Sequence, residues 1–133
     1  EKLADELGIY DKCRFIGWAA GEKKDEAFQN CSIFCLPSKN EGMPMSVLEA
    51  MSYGLATIAT PVGGVPQIIN DGVDGFLFPV DDVTALTEKL DVLMSDNALK
   101  ERIGKCGRAC IEKSFSLDAY MDQIDTIYEI IRK

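Results

Sequence analysis

Pro37-Ser38-Lys39-Asn40-Glu41-Gly42-Met43-Pro44-Met45-Ser46-Val47-Leu48-Glu49-Ala50-Met51 joins one apolar run to a second segment of different period. The run ahead of it, Ser32-Ile33-Phe34-Cys35-Leu36, does not alternate polar with apolar residues. Such a pattern belongs to a strand buried on both faces, and Pro37, which has no N–H for a ladder, ends it. Beyond the loop, Val47, Leu48 and Met51 recur at helical spacing and Gly54 supplies a stop, so a helix is predicted over Met45–Met51. Pro44 and Met45 open that helix, whose free amides and positive dipole end point into the crevice beyond the strand. Gly42 lets backbone come close to a ligand, and the combination favours a phosphate or a sugar hydroxyl.

Three more apolar runs read as strands. Cys13-Arg14-Phe15-Ile16 ends at Gly17, Ala56-Thr57-Ile58-Ala59 at Thr60-Pro61, and Gly75-Phe76-Leu77-Phe78 at Pro79. Helical spacing fills the remainder. Glu22 to Asn30 is polar with Ala27 and Phe28 as a small apolar face; Val83, Leu86, Leu90 and Leu93 follow the start signal Asp81-Asp82. Leu99, Ile103, Cys106 and Cys110 make a further stripe, and Leu117, Tyr120, Ile124, Ile127 and Ile131 make the last, in a helix running from Leu117 to Lys133. All of these stripes are core positions. Alternation of strand and helix implies right-handed crossovers and a parallel sheet covered on both faces, an α/β fold. Residues 1–133 are expected to be a single domain's worth of chain, and a partial one given how it opens, with an α/β unit over about 1–95 and C-terminal helices over about 97–133. Ligands bind outside the carboxyl ends of such strands, which singles out the loops after Ile16, Leu36 and Ala59.

Composition narrows the partners. The chain has 133 residues and a net charge of −8, and an acidic surface repels nucleic acid. No apolar run approaches the roughly 20 residues that span a bilayer. There is no histidine, so Ser-His-Asp and Cys-His catalysis are excluded within this chain. Cys13, Cys31, Cys35, Cys106 and Cys110 are odd in number and sit in a chain with enough apolar residues to fold without staples. They read as reduced thiols of a cytoplasmic protein, with no metal site. The opening Glu1-Lys2-Leu3-Ala4-Asp5 has neither an initiator Met nor a signal-peptide pattern, and it reads as internal to a longer chain.

Glu41 and Glu49 are the two carboxylates at issue, one before the predicted helix and one a turn inside it. Together they could accept hydrogen bonds from hydroxyls on two parts of one ligand. Their structural alternative is a first-turn or capping acid at Glu41 and a solvated helix residue at Glu49. Gly63-Gly64, in Thr60-Pro61-Val62-Gly63-Gly64-Val65-Pro66-Gln67, either repeats the anion-receptive design or makes a plain strand-to-helix turn. It matches neither the dinucleotide fingerprint nor the P-loop.

Taken in order, Phe15-Ile16-Gly17-Trp18, Pro37-Ser38, Glu41-Gly42-Met43-Pro44, Leu48-Glu49-Ala50-Met51, Gly54, Thr60-Pro61-Val62-Gly63-Gly64-Val65-Pro66 and Gly72-Val73-Asp74-Gly75-Phe76-Leu77 resemble the C-terminal domain of glycosyltransferase family 4, of the GT-B fold. The resemblance covers nearly the whole chain and is less specific after Asp96. It implies a Rossmann-like domain, incomplete at its N-terminus, that holds the donor in retaining transfer from a nucleotide-diphosphate sugar, without a metal or other cofactor. Glu49 would then bind the ribose hydroxyls, and Glu41 would contact the donor sugar and stabilise developing positive charge as the catalytic residue. Backbone amides of Gly42, Met43 and Met45 would face sugar and phosphate, around Pro44, which has no N–H. Gly17, Trp18, Pro37 and Ser38 would border the base, with Trp18 read as a half-buried aromatic in preference to one stacked on the base.

The departures from the family pattern also carry implications. By the resemblance, the strands whose loops give the family its diphosphate-binding Arg/Lys pair would precede this chain, as would the N-terminal acceptor domain. Lys39 is the only basic residue next to the motif in sequence. The chain alone is therefore expected to be inactive, and any peripheral membrane association would come through the parent protein. The final helix, which in the family crosses back to the other domain, would leave part of its stripe exposed. The rival readings are a catalytically inactive nucleotide-sugar-binding or partner-binding module, and a flavodoxin-like or receiver domain, for which Gly17-Trp18-Ala19-Ala20-Gly21 supplies neither an acidic cluster nor a flavin-phosphate loop.

Overall fold

The computed structural model describes residues 1–132. Three parallel strands, β1 (Ile33–Leu36), β2 (Ala56–Ala59) and β3 (Phe76–Leu77), lie in that order. Ile33 sits opposite Ala56 and Leu36 opposite Ala59, while Ile58 and Ala59 face Phe76 and Leu77. Helix α1 (Lys2–Glu6), a 3₁₀ turn (Tyr10–Lys12) and α2 (Glu22–Gln29) precede the sheet. Helices α3 (Met45–Ser52) and α4 (Val65–Ile68) are the crossovers, and α5 (Val83–Ser95), α6 (Asn97–Ser114) and α7 (Leu117–Ile131) complete the chain. This is the α/β architecture that the alternating pattern predicts.

β2 is the centre of the core because its two faces bury different partners. Ala56 and Ile58 pack with Phe78, Leu93 of α5 and Ile103 of α6. Ala59 packs on the other face with Val47 and Met51 of α3, Val65 and Ile68 of α4, and Ile111 of α6. Two buried faces explain why β2 does not alternate in sequence. Helices α5 and α6 start where acidic side chains cap them: Asp82 accepts from the Ala85 amide at 2.9 Å, and Asp96 from the Leu99 amide at 2.9 Å. Each cap contributes about 1 kcal/mol.

Helix α6 crosses from one core cluster to the other beneath the amino ends of the strands. A Cβ on Gly104 would overlap the carbonyl oxygen of Gly54, just ahead of β2, and one on Gly107 would lie 2.9 Å from the Asp74 carbonyl oxygen, just ahead of β3. Backbone is thus pressed against backbone at this end of the sheet. The carboxyl ends remain for the ligand.

Four expectations need correction. Cys13–Ile16 is not a strand: no strand among the described residues pairs with it, and Phe15 instead packs against Tyr10 with ring centroids 5.5 Å apart. A short apolar run forms a strand only where a neighbour takes up its amides and carbonyls. Pro44 is the N-cap of α3, one position earlier than an opening residue inside the helix. Trp18 is 91% exposed, not half-buried. Helix α7 buries no residue; Tyr120, Ile127 and Ile131 are exposed while Ile124 is partly covered. The predicted end of that helix at Lys133 lies outside the described residues.

Candidate functional site at the strand carboxyl ends

Leaving β1 at Leu36, the chain enters a loop that the next crossover holds in place. The Thr60 amide donates to the Leu36 carbonyl at 3.2 Å, and the Thr60 hydroxyl donates to the Ser38 carbonyl. The Gly64 amide donates to the Gly42 carbonyl at 2.6 Å. Gly63, at φ 56°, lies so close beneath Glu41 and Gly42 that a side chain there would overlap the Glu41 carbonyl oxygen. The Gly63-Gly64 pair makes the turn from β2 into α4, as the strand-to-helix reading expects. One amide is spent on Gly42, and the missing side chains make room for the Glu41–Gly42 backbone.

This clamp presents Glu41. Its carboxylate accepts from the Ser38 hydroxyl at 2.6 Å, and Glu41 is half-buried. No side-chain cap bond is made at the start of α3, so the first-turn-acid alternative falls. Among the described residues, the amides of Gly42, Met43 and Met45 donate to no protein oxygen. They are donors left at the positive end of α3, beside the Ser38–Glu41 pair. Pro44 is buried and Met45 exposed, so the helix starts at the surface of the crevice.

Glu49 is not a solvated helix residue. It is half-buried, and its Oε1 accepts from the Lys24 ammonium of α2 at 2.7 Å. That hydrogen bond holds the Lys24 pKa above the ordinary lysine value. Lys24 is the cation that sequence reasoning missed, since 25 residues and the whole of β1 separate the partners. Lys39, adjacent in sequence, instead pairs with Asp81 at 2.7 Å. Gly17, at φ 59°, and the exposed Trp18 lie in the loop ahead of α2. Pro37 and Ser38 begin the cluster itself. Among the described residues no group of three or more Cys, Asp or Glu could hold a metal ion, and no helix is long and apolar enough to cross a membrane.

A parallel α/β unit with a held carboxylate and free amides at its strand carboxyl ends has these groups where open α/β sheets bind ligands. The profile of the family described as Glycosyl transferases group 1 matches residues 1–109, and the chain belongs to that family. It is 39% identical over 102 residues to the sulfoquinovosyl transferase SQD2 of Arabidopsis thaliana, covering 74% of this chain and 20% of the relative. Sucrose-phosphate synthase from Thermosynechococcus elongatus superposes with a TM-score of 0.86 at 26% identity, over 98% of this chain and 33% of that one. Anabaena HepE, solved in complex with UDP, matches in fold with a TM-score of 0.87 at 21% identity, over 96% of this chain and 35% of that one. The chain spans between a fifth and about a third of the length of these relatives.

Proposed function

We propose that this chain is the donor-binding part of a retaining, metal-independent glycosyltransferase of family 4. Its parent moves a sugar from a nucleotide-diphosphate sugar to a glycan, lipid or small-molecule acceptor. The observation that carries the reading is the clamp at the strand carboxyl ends. It holds the Glu41 carboxylate against Ser38 and leaves the amides of Gly42, Met43 and Met45 free at one helix start. Unspent amides at a helix start stabilise negative charge on a sugar phosphate, and a carboxylate beside them stabilises an oxocarbenium-like centre. Glu41 is thus assigned to the donor sugar as the catalytic carboxylate. Glu49 is assigned to the ribose diol, and Gly17, Trp18, Pro37 and Ser38 to the edge of the base.

The reaction itself belongs to the longer parent. An acceptor-binding N-terminal domain and basic residues for the diphosphate complete the site, and this chain alone holds donor weakly and does not turn it over. The parent works in the cytoplasm, uses no cofactor and binds no nucleic acid, and any peripheral membrane association comes through its other parts.

Ligand-observed NMR with uridine, guanosine and adenosine diphosphates and their sugars tests the donor assignment. Selective contact with one nucleotide that disappears in Glu49→Ala is the expected result. Binding that survives Glu49→Ala overturns the ribose assignment, and silence across the panel at millimolar concentration overturns the claim that this chain carries a donor half-site.

A further inference from the structure

Helix α2 makes its attachment to α3 through one short patch of alternating chemistry. Lys24 donates to Glu49 at 2.7 Å, and its neighbour Asp25 accepts from the Tyr53 hydroxyl at 2.9 Å. Phe28, one turn on, stacks on the Tyr53 ring with centroids 5.3 Å apart. Glu49 and Tyr53 are one turn apart on α3, so both polar contacts fall on one helix face. The Lys24 stem lines an apolar groove of about 230 Å³ together with Ile16, Ala19, Phe28, Ile33 and Leu55, which directs its ammonium outward to Glu49. Upstream, Lys23 donates to the Ile16 carbonyl at 2.7 Å. Two successive lysines thus fasten the Gly17–Gly21 loop, one at its entrance and one to α3.

We propose that Lys24 is the positioning residue for the nucleotide's ribose. Its ammonium holds the Glu49 carboxylate by one oxygen and leaves the other to a vicinal diol. This rests on the ribose assignment of Glu49 and deepens it. A carboxylate has about four lone-pair sites, so a diol binds without breaking the pair. The charge matters as well. A second carboxylate beside an anionic diphosphate, in a chain of net charge −8, repels the ligand unless a cation offsets it. Among the described residues, Lys24 is the only cation ion-paired with Glu41 or Glu49. With side-chain exposures of 37% and 34%, the pair is shielded enough to be directional and open enough to be reached.

The test measures affinities of this chain for UDP, GDP and ADP, each beside its 2′-deoxy counterpart. The variants are Lys24→Met, Lys24→Arg, Tyr53→Phe and Glu49→Gln, with a backbone amide spectrum for each to establish that it is folded. The readout is the ratio of ribo- to deoxy-nucleotide affinity. A carboxylate that accepts from the 2′-hydroxyl gives a wild-type ratio of about tenfold. Lys24→Met lowers the ratio to about threefold or less and Lys24→Arg restores it. Tyr53→Phe, which loosens α2 without touching Glu49, weakens both nucleotides and leaves the ratio intact. A ratio unchanged in Lys24→Met but collapsed in Glu49→Gln overturns the role of Lys24 alone. A wild-type ratio near one, or a ratio indifferent to Glu49→Gln, removes the ribose assignment and this inference with it. Equal loss of ratio in Lys24→Met and Tyr53→Phe reduces Lys24 to a docking contact and also overturns the proposal.

Discussion

Replacing Gly63 by Ala isolates the close approach that holds the Glu41 loop. Gly63 has φ 56° and Gly72 has φ 76°, so an alanine at either site adopts a left-handed backbone, at about 1 kcal/mol. At Gly72 a Cβ meets nothing within 4 Å, and that conformational cost is the whole effect. At Gly63 the Cβ would overlap the Glu41 carbonyl oxygen and lie 2.6 Å from the Gly42 carbonyl oxygen, both backbone atoms. The loop must retreat by about an ångström, straining the Gly64-to-Gly42 hydrogen bond, for a further cost of about 2 kcal/mol. Gly63→Ala is therefore expected to lose about 3 kcal/mol and Gly72→Ala about 1 kcal/mol. Urea unfolding of both variants, with a common m-value, reads the difference directly. Amide shifts of residues 41–45 should move in Gly63→Ala and stay in Gly72→Ala. Equal losses in the two variants would refute the argument that Gly63 is there for space, and would leave only its φ.

Gly104→Ala should cost a similar 2–4 kcal/mol or so, because its Cβ runs into the Gly54 backbone and pries α6 from the sheet; thermal unfolding checks it, and a loss below about 1 kcal/mol contradicts the close packing. Ser38→Ala removes the hydroxyl that donates to Glu41 at 2.6 Å and should cost about 1 kcal/mol in stability, with a weaker hold on donor sugar relative to the bare nucleotide diphosphate. Burial raises the Cys35 thiol above its ordinary pKa, and burial followed by the Asp74 carboxylate raises Cys110. The sign follows: the stabilisation is complete below the unfolded thiol pKa, and it is lost as pH rises through the higher folded values. Stability should thus fall on the alkaline side, and Cys35→Ser and Cys110→Ser should flatten that fall. At pH 8, exposed Cys31 should alkylate well before Cys35, which peptide mapping reads.

The parts of the fold that were legible in sequence are those whose cause is local. Residues 33–36 and 56–59 are short apolar runs bounded by Pro37 and by Thr60-Pro61, and both are strands. Asp82 and Asp96 stand at helix starts and cap them. Cys13–Ile16 has the same local look and fails, because strand formation depends on a partner edge that no single run encodes. The site divides in the same way. The Glu41 and Glu49 spacing and the glycine between Glu41 and Met43 are visible in one dimension. Lys24 lies 25 residues from Glu49 and belongs to a helix that shows only a small apolar face. Gly63-Gly64 advertises backbone freedom, yet its reason is the volume occupied by another loop. Contacts between elements that are distant in sequence leave no periodic trace.

The two ends of the sheet are built to opposite purposes by the same residue type. At the amino end, Gly104 and Gly107 let α6 press onto the Gly54 and Asp74 carbonyls, which leaves no room for a ligand. At the carboxyl end, Gly63 and Gly64 let one crossover loop press onto the other, and the pressing loop uses its own amide to do so. The loop that is held keeps the amides of Gly42, Met43 and Met45 unspent, beside a carboxylate already oriented by Ser38. In a chain of net charge −8, an anionic ligand gains nothing from the overall field and must be held by such local donors. An affinity carried by fixed amides should respond weakly to salt, whereas one carried by added surface cations would fall steeply. Nucleotide binding by this chain measured across ionic strength separates the two. A steep loss would assign the donor to surface charge, and a shallow one to the clamped loop.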